Sequence, residues 1–427
     1  MKRIYFATCL SVIFLALISS STQAADWPQW RGIHRDGISP ETGLLKSWPQ
    51  DGPPLVVRIS GIGEGYAHPA VVGDRIYIAG KLNNEEHLFC FDLAGDKIWN
   101  ITCGEAYLKT SFLGSRGTPT VEGDRLYYMT SMGRLSVHDR HSGKEIWSQN
   151  VQEKFKGNIP FHGYAESVLV VGDKLICSPH GYEVSTVALN KNTGELIWTA
   201  NELIHPSVYP TPGGFDTPYS SSTHFQWDEK EHIAVLSNKA MFGLSPDNGR
   251  IIWRFDRAGN SAENLNNCST PGFWDGYVYA FQGNGFGGGV AQLAKSESGQ
   301  YVANLIWDTT EMQSHLGGYV LVDGYIYGNN DAKGYSCFEL KTGKLMYIEK
   351  GVGKGSIIYA DGMLYTLGEN GTMGLVPAIP TEHKVISRFT LPDVEKPQVW
   401  AIPAISNGKL FLRNENDLFV YNIQAGE

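Results

Sequence analysis

The chain has 427 residues, 35 basic and 44 acidic, for a formal net charge of −9, and it carries 49 glycines. Acidity without Lys/Arg clusters argues against nucleic acid and anionic membrane as partners. Charged residues make up only 19% and aromatics 12%, a composition that suits many short strands joined by glycine turns better than helices.

In chain order, Lys2 and Arg3 precede a mostly apolar run, 4–18, and small or polar residues follow as far as Ala24. That is the layout of a secretory signal peptide over 1–24, with cleavage after Ala24. The run is short for a membrane helix, which needs about 20 residues. Later segments are no better suited to crossing a bilayer as helices, so the mature chain is expected to be periplasmic or secreted. Residues 25–53 form an aromatic leader with Trp27, Trp30 and Trp48.

From there two signatures recur. The first is a strand, a tight turn and a second strand: Val72-Gly73-Asp74-Arg75-Ile76-Tyr77 returns at Glu122–Tyr127 and around Val171–Leu175. Later copies reverse the turn pair, at Asp275-Gly276, Asp323-Gly324, Asp361-Gly362 and Asn407-Gly408. These dipeptides tolerate the positive φ that a two-residue hairpin demands. The second signature closes each unit, most fully in Asp139-Arg140-His141-Ser142-Gly143-Lys144-Glu145-Ile146-Trp147. Glycine supplies the turn, the polar residue before it caps the turn, and the aromatic is free to pack between neighbouring sheets. His138 and His141 sit inside this hairpin and are read as turn residues, not metal ligands.

Trp99, Trp147, Trp198, Trp253 and Trp307 stand 48, 51, 55 and 54 residues apart, with Tyr347 and Phe389 continuing the series. Four strands in about 40–50 residues is one propeller blade. Units are expected over roughly 66–100, 115–151, 163–201, 219–257, 267–310, 314–351 and 354–391. The remnant 400–424 lacks a fourth strand, for which 54–59 is the candidate; joining the termini in one sheet leaves no open edge. The expected architecture is all-β: an eight-bladed β-propeller of four-stranded antiparallel blades over 54–427, closed by an N-terminal strand. Cys90 and Cys337 recur at one repeat position and read as buried small hydrophobes. Asn284–Gly289 lies between strands and reads as a hairpin, not a phosphate loop, and 205–219 is an insertion between the third and fourth blades.

The Asp-x-x-x-Gly-Lys-x-x-Trp closure at 139–147 resembles the tryptophan-docking motif of pyrroloquinoline quinone (PQQ) repeat propellers. With the Val-x-Gly-Asp-x-Ile-Tyr strands, the resemblance covers nearly all of 54–424. The opening Asp26-Trp27-Pro28-Gln29-Trp30-Arg31-Gly32 also resembles secreted members from planctomycete-type bacteria. The resemblance implies one of two kinds of protein. Quinoprotein alcohol dehydrogenases hold PQQ and a divalent cation, usually calcium, over the central funnel. Non-enzymatic relatives, such as the scaffold subunit of the outer-membrane β-barrel assembly machinery, keep the blades without a cofactor. The repeat fixes the fold and leaves the chemistry open.

Residues just before each innermost strand should converge on one rim of the channel. These include Glu64, Tyr66 and His68; Arg116; His162, Tyr164 and Glu166; Tyr219 and His224; Asn266 and Asn267; His315; and Lys354. Arg116, His162, Glu166, Asn267, His315 and Lys354 are the candidates for holding a small polar or anionic ligand, with Arg116 and Lys354 as charge partners. Were the chain a dehydrogenase, Glu166 and Asn267 would be the cation's oxygen ligands. The adjacent-cysteine disulfide and haem motif of many such enzymes are missing from the sequence. The expected function is therefore an exported binding or scaffold propeller meeting an envelope protein or small polar ligand at its rim, with no catalytic residue assigned and no cofactor required. The alternative is a PQQ- and calcium-dependent dehydrogenase of an alcohol, a sugar or a polymeric alcohol.

Overall fold

The computed structural model describes residues 25–426 except 182, 202–218, 238–239, 257–266, 317 and 332. The expected signal peptide, Asn266 and nearly all of the 205–219 insertion lie outside the described residues.

The turn chemistry sets the strands. Asp275, Asp323, Asp361 and Asn407 take φ of 48–55° and the glycine after each is also left-handed, which is the type I′ hairpin. In the Gly-Asp copies only Gly73, Gly123 and Gly172 are left-handed, at 55–59°, as in a type II′ turn. Two dipeptide orders thus give one hairpin by two mirror-type routes.

The strands assemble into eight antiparallel four-stranded sheets, one bearing a short extra parallel strand. The first blade consists of Ala70–Val72, Arg75–Leu82, Glu85–Asp92 and Lys97–Glu105. Six more follow over 120–150, 169–200, 223–256, 272–309, 319–349 and 355–390. The eighth takes Ala404–Ser406, Lys409–Asn414 and Asp417–Asn422 from the C-terminus and Leu55–Ser60 as its outer strand. There Ile59 pairs with Leu418 and Leu55 with Tyr421, so the N-terminal strand closes the ring as expected. One continuous core joins the seventh, eighth and first blades through Tyr365, Phe411, Phe419, Ile76 and Phe89.

The Gly-x-x-x-Trp closure is an interblade lock. Trp99, Trp147, Trp198 and Trp307 each donate Nε1–H to a carbonyl in the next blade's closing turn, at Arg140, Lys191, Pro246 and Leu340, over 2.6–3.2 Å. Each indole lies on that turn's glycine: a Cβ at Gly143, Gly194, Gly249 or Gly343 would sit 2.5–3.0 Å from the ring. Phe389 meets Gly52 in the same way before the eighth blade. Trp253 departs from the pattern. The fifth blade has longer outer strands, its closing-turn glycine Gly299 has nothing within 4 Å of its Cβ position, and Trp253 donates to His232 Nδ1 within its own blade. Gly194→Ala should therefore cost about 2–4 kcal/mol, from left-handed strain plus displacement of Trp147. The urea midpoint is the measure, and an unchanged midpoint would refute the lock.

Other sequence readings resolve locally. Cys90 and Cys337 are buried at equivalent strand positions. Asn284-Gly285 turns a hairpin, and Gly287 and Gly288 follow where a Cβ would collide with the Thr309 and Ala280 carbonyls. His138 Nδ1 faces the Gly143 carbonyl and Asp139 accepts from Ser142, so both shape the closing turn.

The leader is an axle through the ring, a role that no repeat signal indicated. Trp27 forms an antiparallel bridge with Val71 of the first blade, and Pro28 accepts from Val121 of the second. Arg35 donates to Ser167 and Val168 carbonyls leading into the third blade and to Ser222 leading into the fourth. Trp30 reaches Thr270 before the fifth, and Arg31 the Tyr319 carbonyl of the sixth. Ile38–Ser39 pairs with Tyr359–Ala360 of the seventh, and Glu41 accepts from Gly408 of the eighth. All eight blades thus bond to one short segment. Arg31 and Arg35 both take φ of 59° to make these turns.

Candidate functional site

The loops leading into the inner strands meet at one mouth of the funnel, around a cavity of about 280 Å³. Tyr66, Phe112, Arg116, His162, Tyr219, Cys268, His315 and Trp400 line it, each half-buried, and Trp30 of the leader completes it.

A belt of rings forms much of the wall. Tyr66 lies 5.0 Å from Trp400, Trp400 5.0 Å from Phe112, Phe112 5.7 Å from His162, and His162 5.9 Å from Tyr219. Edge-to-face and tilted contacts of this kind hold the rings in place and leave an apolar interior. Trp30 is clamped from two sides. It stacks on His68 at 5.1 Å and donates Nε1–H to Thr270 Oγ1 at 2.7 Å. His68 and Thr270 precede the first and fifth blades, which stand opposite each other in an eight-blade ring, so the indole spans the channel.

Arg116 is the cation of the cavity. Its guanidinium donates to the Gly114 carbonyl at 3.0 Å and to the Phe112 carbonyl, and lies 5.2 Å from the centre of the Tyr66 ring. Among the described residues it makes no ion pair; burial lowers its pKa, and the nearby Tyr66 partly offsets this. The imidazoles beside it are neutral near pH 7. Burial, then Arg116, lowers His162; burial, then Lys354, takes His315 down to about 4. Burial raises the Cys268 thiol to about 12, so it is held as the thiol.

The remaining candidates are placed differently. Lys354 lies behind His315, with Nζ 3.3 Å from His315 Nδ1, and faces Glu369 at 3.8 Å and Asp331 at 4.0 Å. Its charge is thus matched. Glu166 and Asn267 are buried and turned into the sheets. The Glu166 carboxylate accepts from Ser178 N at 2.7 Å, and the Asn267 amide donates to the Ser237 carbonyl. Their chain neighbours Ala165 and Cys268 face the cavity instead. Glu64 pairs with Lys81, Tyr164 donates to Pro179, and His224 faces Glu231 at 3.7 Å, outside the cavity lining. His68 lies under Trp30, taking the Arg31 N–H on Nε2 while Nδ1 faces the Pro69 carbonyl, and burial drops it to about 4.

A calcium–PQQ pair calls for oxygen ligands converging on the cation. Glu166 and Asn267 do not converge here, and among the described residues no three His, Cys, Asp or Glu side chains form a metal-binding group. The donor set as placed does not fit that cation.

The rule that groups before each inner strand converge also reaches Phe112, Cys268 and Trp400, which a search for ionisable groups passes over. Trp30 follows from no repeat position.

The comparisons with known proteins agree with this architecture. A family profile described as outer membrane protein assembly factor BamB matches residues 84–348. The outer membrane protein assembly factor BamB of Shewanella oneidensis is 23% identical over 279 residues, 64% of this chain and 64% of that protein, so the match spans under two thirds of the relative's length. The crystal structure of BamB from Moraxella catarrhalis superposes with a TM-score of 0.61 at 14% identity, covering 87% of this chain and 98% of that one. The quinohemoprotein alcohol dehydrogenase of Comamonas testosteroni superposes with a TM-score of 0.65 at 12% identity, covering 94% and 81%. At such identities the structural likenesses establish the fold alone. The family profile spans more than half the chain, and the chain belongs to the BamB-type family of PQQ-like β-propellers.

Proposed function

We propose that the protein is an exported envelope propeller that binds a partner or small ligand at the funnel mouth without turnover of its own. One observation carries this reading: the mouth offers an aromatic cavity with Arg116, which makes no ion pair among the described residues, while Glu166 and Asn267 face away from it. Such a cavity with few polar groups is the ordinary form of a binding site. The family match to an assembly factor supports a scaffold role.

The second reading, a PQQ- and calcium-dependent dehydrogenase, draws on the fold shared with a quinohemoprotein alcohol dehydrogenase and on the aromatic walls. Titration of the purified protein with PQQ and calcium, followed by absorbance and a dye-linked alcohol oxidation assay, separates the two. The expected result is no saturable uptake and no oxidation, with recovery of an envelope protein that Arg116→Ala no longer retains. Saturable uptake with alcohol oxidation would overturn the proposal.

A further inference from the structure

We propose that the mouth cavity takes a small aromatic monocarboxylate, its carboxylate on Arg116 and its ring on the Trp30 platform. The inference rests on the reading of the mouth as a binding site and specifies what it binds.

Charge matching sets the valence. Lys354 is matched by Glu369 and Asp331, and Glu64 by Lys81. His162 and His315 are neutral near pH 7. Arg116 is the cation of the cavity lining without a carboxylate within ion-pair distance among the described residues. A guanidinium at the edge of an apolar cavity pairs strongly with one carboxylate, because the forked donors match its two oxygens and little water screens them. Further carboxylates on the ligand would lie against aromatic faces and neutral imidazoles and would lose their hydration uncompensated.

The walls set the rest of the ligand. Phe112, Tyr219 and Trp400 offer aromatic surface, and Trp30 closes the floor. About 280 Å³ lies at the low end of small-molecule pockets, ~300 Å³, which suits one or two rings. The floor comes from outside the repeats: the indole is held by the leader's course through the ring. Trp30 therefore decides which flat ligands fit, whatever the blades themselves supply.

Calorimetric titration of the purified protein with phenylacetate, acetate and 2-phenylethanol tests both halves. Phenylacetate is expected to bind about tenfold or more tightly than either the charged or the aromatic fragment alone. Arg116→Gln should bring phenylacetate down to the 2-phenylethanol level while Arg116→Lys retains part of the difference. Trp30→Leu should weaken phenylacetate and leave acetate unchanged, and Trp30→Phe provides a milder variant should the leucine form not fold. Phenylacetate binding no better than acetate, or unaffected by Arg116→Gln, overturns the proposal. Alcohol oxidation with PQQ and calcium would instead sink the non-enzymatic reading and leave the phenylacetate ranking standing.

Discussion

Replacing Arg35 with methionine is expected to lower the stability of the ring by about 3–5 kcal/mol, the largest loss from a single substitution in the leader. Arg35 is 2% exposed. Its guanidinium donates to three carbonyls, at Ser167, Val168 and Ser222, and reaches Thr120 Oγ1 at 3.5 Å. Methionine fills a similar length but leaves the Ser167 and Ser222 carbonyls facing an apolar chain, each at the cost of an unsatisfied buried acceptor, while the Val168 carbonyl keeps only its bond from Thr120 Oγ1. The loss is smaller than the sum of the bonds because the guanidinium is itself costly to enclose. Burial takes its pKa down to about 9, with the Glu166 charge offsetting part of this. Arg35→Lys should recover little, since a single ammonium cannot reach the second, third and fourth blades together. Urea midpoints of the two variants decide the matter. If Arg35→Met unfolds with the parent protein, the leader is a passenger and not an axle.

The contrast between blades and leader explains how far the sequence could be read. Asp323-Gly324 or Gly194 with Trp198 announce themselves because glycine and aspartate at a two-residue turn have few other uses, and because the pattern returns at a fixed spacing. The closing strand at Leu55–Ser60 was legible by subtraction, since the last unit lacked one. The leader offers no such handle. Arg31 and Arg35 bind backbone carbonyls, which every residue type possesses, so nothing in the partner sequences marks them. The mouth was legible only in part, for a reason of register. The sequence rule sets Glu166 and Asn267 before inner strands, yet Ala165 and Cys268 face the cavity while Glu166 and Asn267 bond inside the sheets. Near an inner strand, a shift of one residue reverses the face. A search confined to ionisable groups also passes over Trp400 and Phe112, which shape the cavity more than Lys354 does.

Stability is expected to fall by on the order of 5 kcal/mol between pH 7 and pH 4, and the leader should be the first element to loosen. Burial holds His68, His315 and His383 down to about 4 and His180 to about 3. In the unfolded chain each titrates near 6.5. Below that value the unfolded chain takes up protons that the native ring refuses, so stability is lost as pH falls from about 6.5 toward 4. Each pKa unit corresponds to ~1.4 kcal/mol per histidine at most, and the partial exposure of His315 reduces its share. Glu86, Asp36 and Asp331 act in the opposite sense. Burial raises all three, so the stability they contribute is present in acid and lost as pH rises through their native values. The four imidazoles carry the fall in acid, and the three carboxyls temper it.

His68 links this titration to the leader. Its Nε2 accepts the Arg31 N–H and its ring carries Trp30. A proton on Nε2 removes that acceptor and sets a cation beside Arg31 and Arg35. Urea midpoints at pH 7, 6, 5 and 4 should therefore descend, with the steepest change below pH 6. His68→Gln should start lower at pH 7 and descend less. A midpoint constant from pH 7 to 4.5 would rule out the buried imidazoles as the acid-sensitive groups. Phenylacetate binding should weaken over the same interval, because the Trp30 platform rests on the neutral His68 ring and loses that support once the ring takes up a proton.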